Sequence, residues 1–266
     1  MKEVALITLH GMGKVKQSYY AELEDMLKNR LVDKWAKVSF QNVQYAPILQ
    51  TPEDQLWASM VATSENELDG TKLRQFFLYG FGDAGSLEHS AQTDKKQYIA
   101  VQREIQKALD RALLDFDGDA TKPVVIIAQS LGCQVISNYI WDAQHGNNIF
   151  SELPSNGSEQ SKFRELKSLT NLVTTGCNIP LFIAGLADRK CFGKPNDSFV
   201  WDNFYDPDDV LGWPLKQLGP TYNIVRDHPI NSGGLLSSWN IASHGGYWSD
   251  TDVVFPLVEI LKSKMT

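Results

Sequence analysis

Short apolar runs rich in β-formers alternate along this chain with longer stretches whose apolar residues recur every three or four positions. Val4-Ala5-Leu6-Ile7-Thr8-Leu9 is the first run, and Tyr19 to Trp35 follows it with Leu23, Met26, Leu27 and Leu31 at helical spacing. Val38 to Tyr45 reads as the next strand, and Ile99 to Phe116 as a long amphipathic helix with Ile105, Leu109, Ala112 and Leu113 on one side. Val124 to Ala128, Leu172 to Gly176, Phe199 to Tyr205 and Asn223 to Val225 read as further strands, and Val253 to Lys262 as a closing helix. Such alternation predicts a mostly parallel sheet with helices on both faces, in one domain spanning 1–266. Two segments interrupt it. Residues 147–161 are polar and read as a surface loop, while 47–92 hold Trp57, Phe76, Phe77, Tyr79 and Phe81, aromatics that either pack on the core or form a lid.

The chemistry gathers at the turns. Val124 to Gln129 runs through Ser130-Leu131-Gly132 into Cys133-Gln134-Val135-Ile136, the strand, sharp turn and helix of a nucleophile elbow. Small flanks let neighbouring backbone come close to the serine, and here they are Ala128 and Gly132, with alanine at the position of the first motif glycine. The first strand ends in His10-Gly11-Met12-Gly13. Neither this turn nor Gly80-Phe81-Gly82-Asp83-Ala84-Gly85 reads as a phosphate cradle. The first lacks P-loop and dinucleotide spacing, and the second is not followed by a supported helix start. Asp206-Pro207-Asp208-Asp209 follows a strand, and Ser243-His244-Gly245-Gly246-Tyr247-Trp248 precedes the last helix.

These motifs, in this order, resemble the α/β-hydrolase superfamily, and in particular its compact lipase and esterase branch, because only nine residues precede His10. The resemblance implies an α/β-hydrolase fold without the first edge strands. It also implies Ser130 as nucleophile, with the backbone amides of Met12 and Leu131 as oxyanion hole. Its chain order puts the base last, which favours His244 over His228, a residue restrained by Pro229. His10 then belongs to the oxyanion loop, and His89 and His145 lie in connecting segments. Relatives that place the acid two residues before an apolar pair favour Asp208, ahead of Val210-Leu211. Asp206 is close behind, and Asp209 stays open; unused carboxylates there serve the turn. The implied activity is cleavage of a carboxylic ester through an acyl-enzyme, with no metal or organic cofactor. A thioesterase, amidase or acyltransferase shares that chemistry, and a non-catalytic binding protein on the same scaffold is the other class.

Composition changes this picture little. With 266 residues, 42% hydrophobic and 21% charged, the chain has ordinary globular proportions, and a net charge of −7 gives no field for nucleic acid. Cys133, Cys177 and Cys191 have no metal-ligand spacing and are odd in number, which points to a reducing compartment. With no apolar stretch suited to a signal peptide or membrane span, the expected location is cytoplasmic and the expected partner a small ester or acyl substrate. Oligomeric state and the identity of the acyl group are not written in the sequence.

Overall fold

The computed structural model describes residues 1–13, 15–62, 69–87, 95–152, 156–232 and 243–266, and within these the side chains of all but 76, 84–87 and 243–245. Six strands, β1 Val4–Leu9, β2 Val38–Val43, β3 Val124–Gln129, β4 Leu169–Thr175, β5 Val200–Tyr205 and β6 Val225–Pro229, form one sheet in the order β2-β1-β3-β4-β5-β6. Every pairing in it is parallel. Among the described residues no strand lies outside β2, so β2 is an edge. This is an α/β-hydrolase fold without the usual first edge strands.

All six residues of β1 and of β3 are buried, because side chains alternate between two covered faces. Ala5, Ile7 and Leu9 with Val124, Ile126 and Ala128 join one core. That core is closed by α4 Lys96–Asp115 and α5 Leu131–His145. Val4 and Leu6 with Val125 and Ile127 join the other, under α1 Ala21–Leu31 and α9 Thr251–Ser263. Helix α9 starts at Asp250, whose carboxylate accepts the Asp252 amide at 2.7 Å, and α5 stops at Gly146 in the left-handed region at φ 66°.

Several elements differ from the sequence pattern. The first helix ends at Leu31 and continues only as a 3-10 turn, Val32–Lys37, beginning at φ 47°. The last strand starts at Val225, after the 3-10 turn Pro220–Ile224, so His228 sits inside β6 opposite Phe204. Pro229 can close that strand because its missing N–H falls at the strand end. Within 47–92 the described residues form two helices, α2 Ala46–Ala62 and α3 Thr71–Leu87. The 147–161 segment carries α6 Ile149–Glu152 and the start of α7 Glu159–Arg164, with Ile149 and Phe150 buried; 153–155 lie outside the described residues. Helix α8, Ile179–Ile183, follows β4. Among the described residues no helix is long and apolar enough to cross a membrane. All three cysteines are free and buried.

Candidate active site

Ser130 stands between β3 and α5 with φ 52° and ψ −122°, a conformation that costs a non-glycine residue about 1–3 kcal/mol. The surrounding backbone holds it there. Its N–H donates to the Thr175 carbonyl at the end of β4 at 3.0 Å, and its carbonyl accepts from Cys133 at 2.9 Å. A methyl on Gly11 would stand 2.9 Å from Ser130 Cβ, and one on Gly132 would stand 2.5 Å from the His10 carbonyl oxygen. The elbow and the turn after β1 therefore meet backbone to backbone, which only glycine permits. Leu131 is the first residue of α5, and a helix's first amides have no partner inside the helix. Its N–H carries the positive end of the helix dipole to the serine.

His10 holds the opposing turn and is fully committed to it. Its ring stacks on Tyr45 at 3.8 Å, Nδ1 donates to the Gly11 carbonyl at 2.8 Å, and Nε2 accepts the Ala46 N–H at 3.2 Å. This partnership assigns the ring proton to Nδ1. Tyr45 also donates its hydroxyl to the His10 carbonyl. Burial pushes the imidazole down to about 4, against a smaller opposite pull from the Gly11 carbonyl. The unfolded chain, in contrast, takes up this proton near 6.5. Stability from a neutral His10 is thus complete above pH 6.5 and drains as pH falls toward 4, by up to about 3 kcal/mol. In urea titrations between pH 7 and pH 4.5, His10→Asn should lose stability less steeply than the wild type. Equal slopes would mean that folding does not lower the His10 pKa.

The acid loop presents three carboxylates in three environments. Asp208 is exposed. Asp206 is buried, and both of its oxygens accept backbone amides, from Asp208 and from Ser232, each at 2.8 Å. Asp209 is also buried, accepts the Leu211 N–H at 3.0 Å, and receives the Tyr247 hydroxyl at 2.9 Å. Tyr247 lies on the 3-10 turn Ser243–Trp248 that carries His244, and the Asp206 N–H donates to its hydroxyl at 3.0 Å. One phenol thus ties the acid loop to the histidine turn. A methyl on Gly212 would touch the Asp209 carboxylate at 2.7 Å and Gly176 Cα at 3.2 Å, so this carboxylate stands beside the end of β4, next to the residue that binds the Ser130 amide. The His244 side chain and all of His89 lie outside the described residues.

His228 has a different partner. Its Nε2 meets Asp202 at 2.8 Å, and its ring stacks on Phe204 at 4.8 Å, on the strand β6 that β4 and β5 separate from β3. His145 bonds the Trp141 carbonyl on α5.

Asn178 is a site residue that the sequence pattern does not announce. Fully buried after β4, it donates Nδ2 toward Ser130 Oγ at 3.4 Å, while its Oδ1 has no partner among the described residues. Next to it, Ile179 and Ile183 with Trp141, Phe192 and Tyr222 line a groove of about 470 Å³ along α5 and α8. Ile179, Ile183 and Leu186 supply one side of that groove.

No protein-family model matches the chain, and no curated protein matches it. Two solved structures align with 99% of this chain and 99% of their own. One is an iodinated complex of acetyl xylan esterase at 12% identity and TM-score 0.42, and the other an acetylxylan esterase at 11% identity and TM-score 0.43. Likeness at that level leaves the description of the fold to the strand order itself: a parallel α/β-hydrolase sheet with a strained serine at the turn into α5.

Proposed function

We propose that this protein is a serine hydrolase that cleaves a small carboxylic ester through an acyl-enzyme. The observation that carries the reading is the backbone of Ser130, held at φ 52° where β3 meets α5, with Gly11 and Gly132 leaving room for the turn after β1. Strain of that kind persists only where the surroundings over-determine it, and it aims a hydroxyl out of the sheet. In this reading the His244 imidazole takes the Ser130 proton as Oγ attacks the carbonyl. The amides of Met12 and Leu131 receive the oxyanion, and water then releases the acyl group. Helices α2 and α3 within 47–92 act as a lid on a single domain.

We assign the acid to Asp209, the loop carboxylate whose side chain bonds the His244-bearing turn and lies beside Gly176. Asp206 has its two oxygens on backbone amides and serves the loop, and Asp208 is in solvent. Asp209→Asn should lower kcat by about 10⁴-fold, as removing a triad carboxylate's charge does. Asp206→Asn should cost stability first and rate second. The reverse ranking in steady-state kinetics would move the acid to Asp206.

Fluorophosphonate labelling with peptide mapping, alongside p-nitrophenyl esters of increasing acyl length and matched thioester and amide substrates, tests the reading as a whole. Labelling at Ser130 with ester turnover is expected. Faster turnover of the thioester or amide would reassign the leaving group, and a folded, unlabelled, inert protein would leave a binding scaffold.

A further inference from the structure

The lid helices are fastened to the oxyanion turn by an unusual contact. Gly13 is gripped from both sides: its N–H donates to Asp83 Oδ2 of α3 at 3.2 Å, and its carbonyl accepts from Gln50 of α2. Met12 lies against Gly80 of α3, where a methyl would meet its sulfur at 2.5 Å. The side chains of Glu53 on α2 and Asp83 on α3 are both buried, and a methyl on Gly82, the chain neighbour of Asp83, would run into Glu53 Oε1, which sets the Glu53 carboxyl beside Asp83. Neither Glu53 oxygen nor Asp83 Oδ1 has a donor among the described residues. Two carboxylates cannot bond one another, because each is acceptor only; with one proton between them, one carboxyl becomes the donor.

We propose that Glu53 and Asp83 are positioning residues that set the oxyanion turn, holding α2, α3 and Gly13 together through a single shared proton. The inference rests on the hydrolase reading for its effect on catalysis. While the proton is held, the Glu53 carboxyl donates to Asp83, Asp83 accepts from Gly13, and the Met12 amide stays aligned for the developing oxyanion. Once the proton leaves to solvent, two buried negative charges face each other, α2 and α3 separate, and Gly13 loses its acceptor.

The groups around the pair oppose ionisation. Asp54 on α2, held by the Tyr79 hydroxyl of α3, adds negative charge, and the nearby Tyr45 and His10 are buried and neutral. Desolvation, followed for Glu53 by the charges of Asp83 and Asp54, raises Glu53 to about 8; desolvation raises Asp83 to about 7 against the pull of the Gly13 amide. The signs follow from linkage. Groups raised in the folded state give stability that is complete below the ordinary carboxylate range and is lost as pH rises through 7 to 8.

The test is kcat and KM for p-nitrophenyl acetate from pH 5 to 10 on the wild type and Glu53→Gln. A ¹³C carboxyl and ¹⁵N amide titration of the wild type runs alongside. The wild type should lose kcat as pH rises through about 8, where Glu53 gives up the last proton of the pair, with little change in KM, and the Gly13 amide shift should follow the same step. Glutamine keeps a permanent N–H donor toward Asp83, so in Glu53→Gln the alkaline limb should move up by at least one pH unit. An unmoved limb, or a Gly13 amide that ignores the carboxyl titration, overturns the clamp while leaving Ser130 as nucleophile. Because the NMR arm needs neither a variant nor turnover, the clamp stays testable if Glu53→Gln fails to fold. Absent turnover with a Gly13 amide that does follow the titration would sink the hydrolase reading and keep the clamp.

Discussion

Ser130→Ala will abolish ester turnover, with kcat falling by as much as ~10⁶-fold if the catalytic groups act as a unit. It will leave the protein folded, because alanine occupies the same backbone well at similar cost and the hydroxyl's nearest described partner is the long Asn178 contact. Ser130→Gly is the informative companion. It will be equally inactive, yet glycine adopts φ 52°, ψ −122° without a Cβ penalty and so releases part of the strain. A net gain of about 1 kcal/mol corresponds to a Tm higher than that of Ser130→Ala by roughly 2–4 °C. Calorimetry on the two variants reads this directly. Rate retained by Ser130→Ala would remove Ser130 as nucleophile; identical melting of the two would remove the claim that the turn stores strain.

Gly132→Ala should do nearly as much harm by a steric route. Its methyl would fall 2.5 Å from the His10 carbonyl oxygen and 3.0 Å from that of Leu9. Both are backbone atoms, so no rotamer change relieves the clash, and the turn after β1 must retreat from the elbow. Retreat misplaces the Met12 amide, the proposed oxyanion donor, and loss of one such donor costs about 10²–10³ in kcat. Forced overpacking costs about 1–3 kcal/mol of stability besides. Gly185→Ala is the control, because a methyl there meets nothing within 4 Å. Should Gly132→Ala show wild-type kcat and Tm, the close approach of the two turns would not be a rigid requirement.

Much of this architecture was legible in the sequence because it is local. Strands β1 and β3 are unbroken apolar runs, and the small residues around Ser130 mark a turn where backbone must approach backbone. The acid was not legible. Asp206, Asp208 and Asp209 all have sound turn chemistry, and only tertiary packing separates one in solvent, one on backbone amides and one bonded to Tyr247. Asn178 reaches Ser130 from just past the end of β4, a meeting that no spacing rule encodes. Helices α2 and α3 were hidden by residues that speak against helix, Pro52 in one and Gly80 and Gly82 in the other. The two glycines lie where Met12 and Glu53 crowd α3, so the string that imitates a nucleotide fingerprint leaves room for neighbouring side chains.

The position of β1 between β2 and β3 also governs how the molecule must come into being. Its β2 flank pairs soon after synthesis, Val4 with Val38, but its other flank waits for Val124. Between the end of β2 and the start of β3 the ribosome makes roughly 80 residues, about 4 to 16 s at common translation rates. Through that interval β1 has an apolar edge with nothing to pair with, the kind of surface that recruits other chains. The elbow itself requires that late pairing, since the turn it packs against hangs from β1. A nascent chain stalled short of β3 would thus be an aggregation hazard, and the serine's geometry is among the last features to mature.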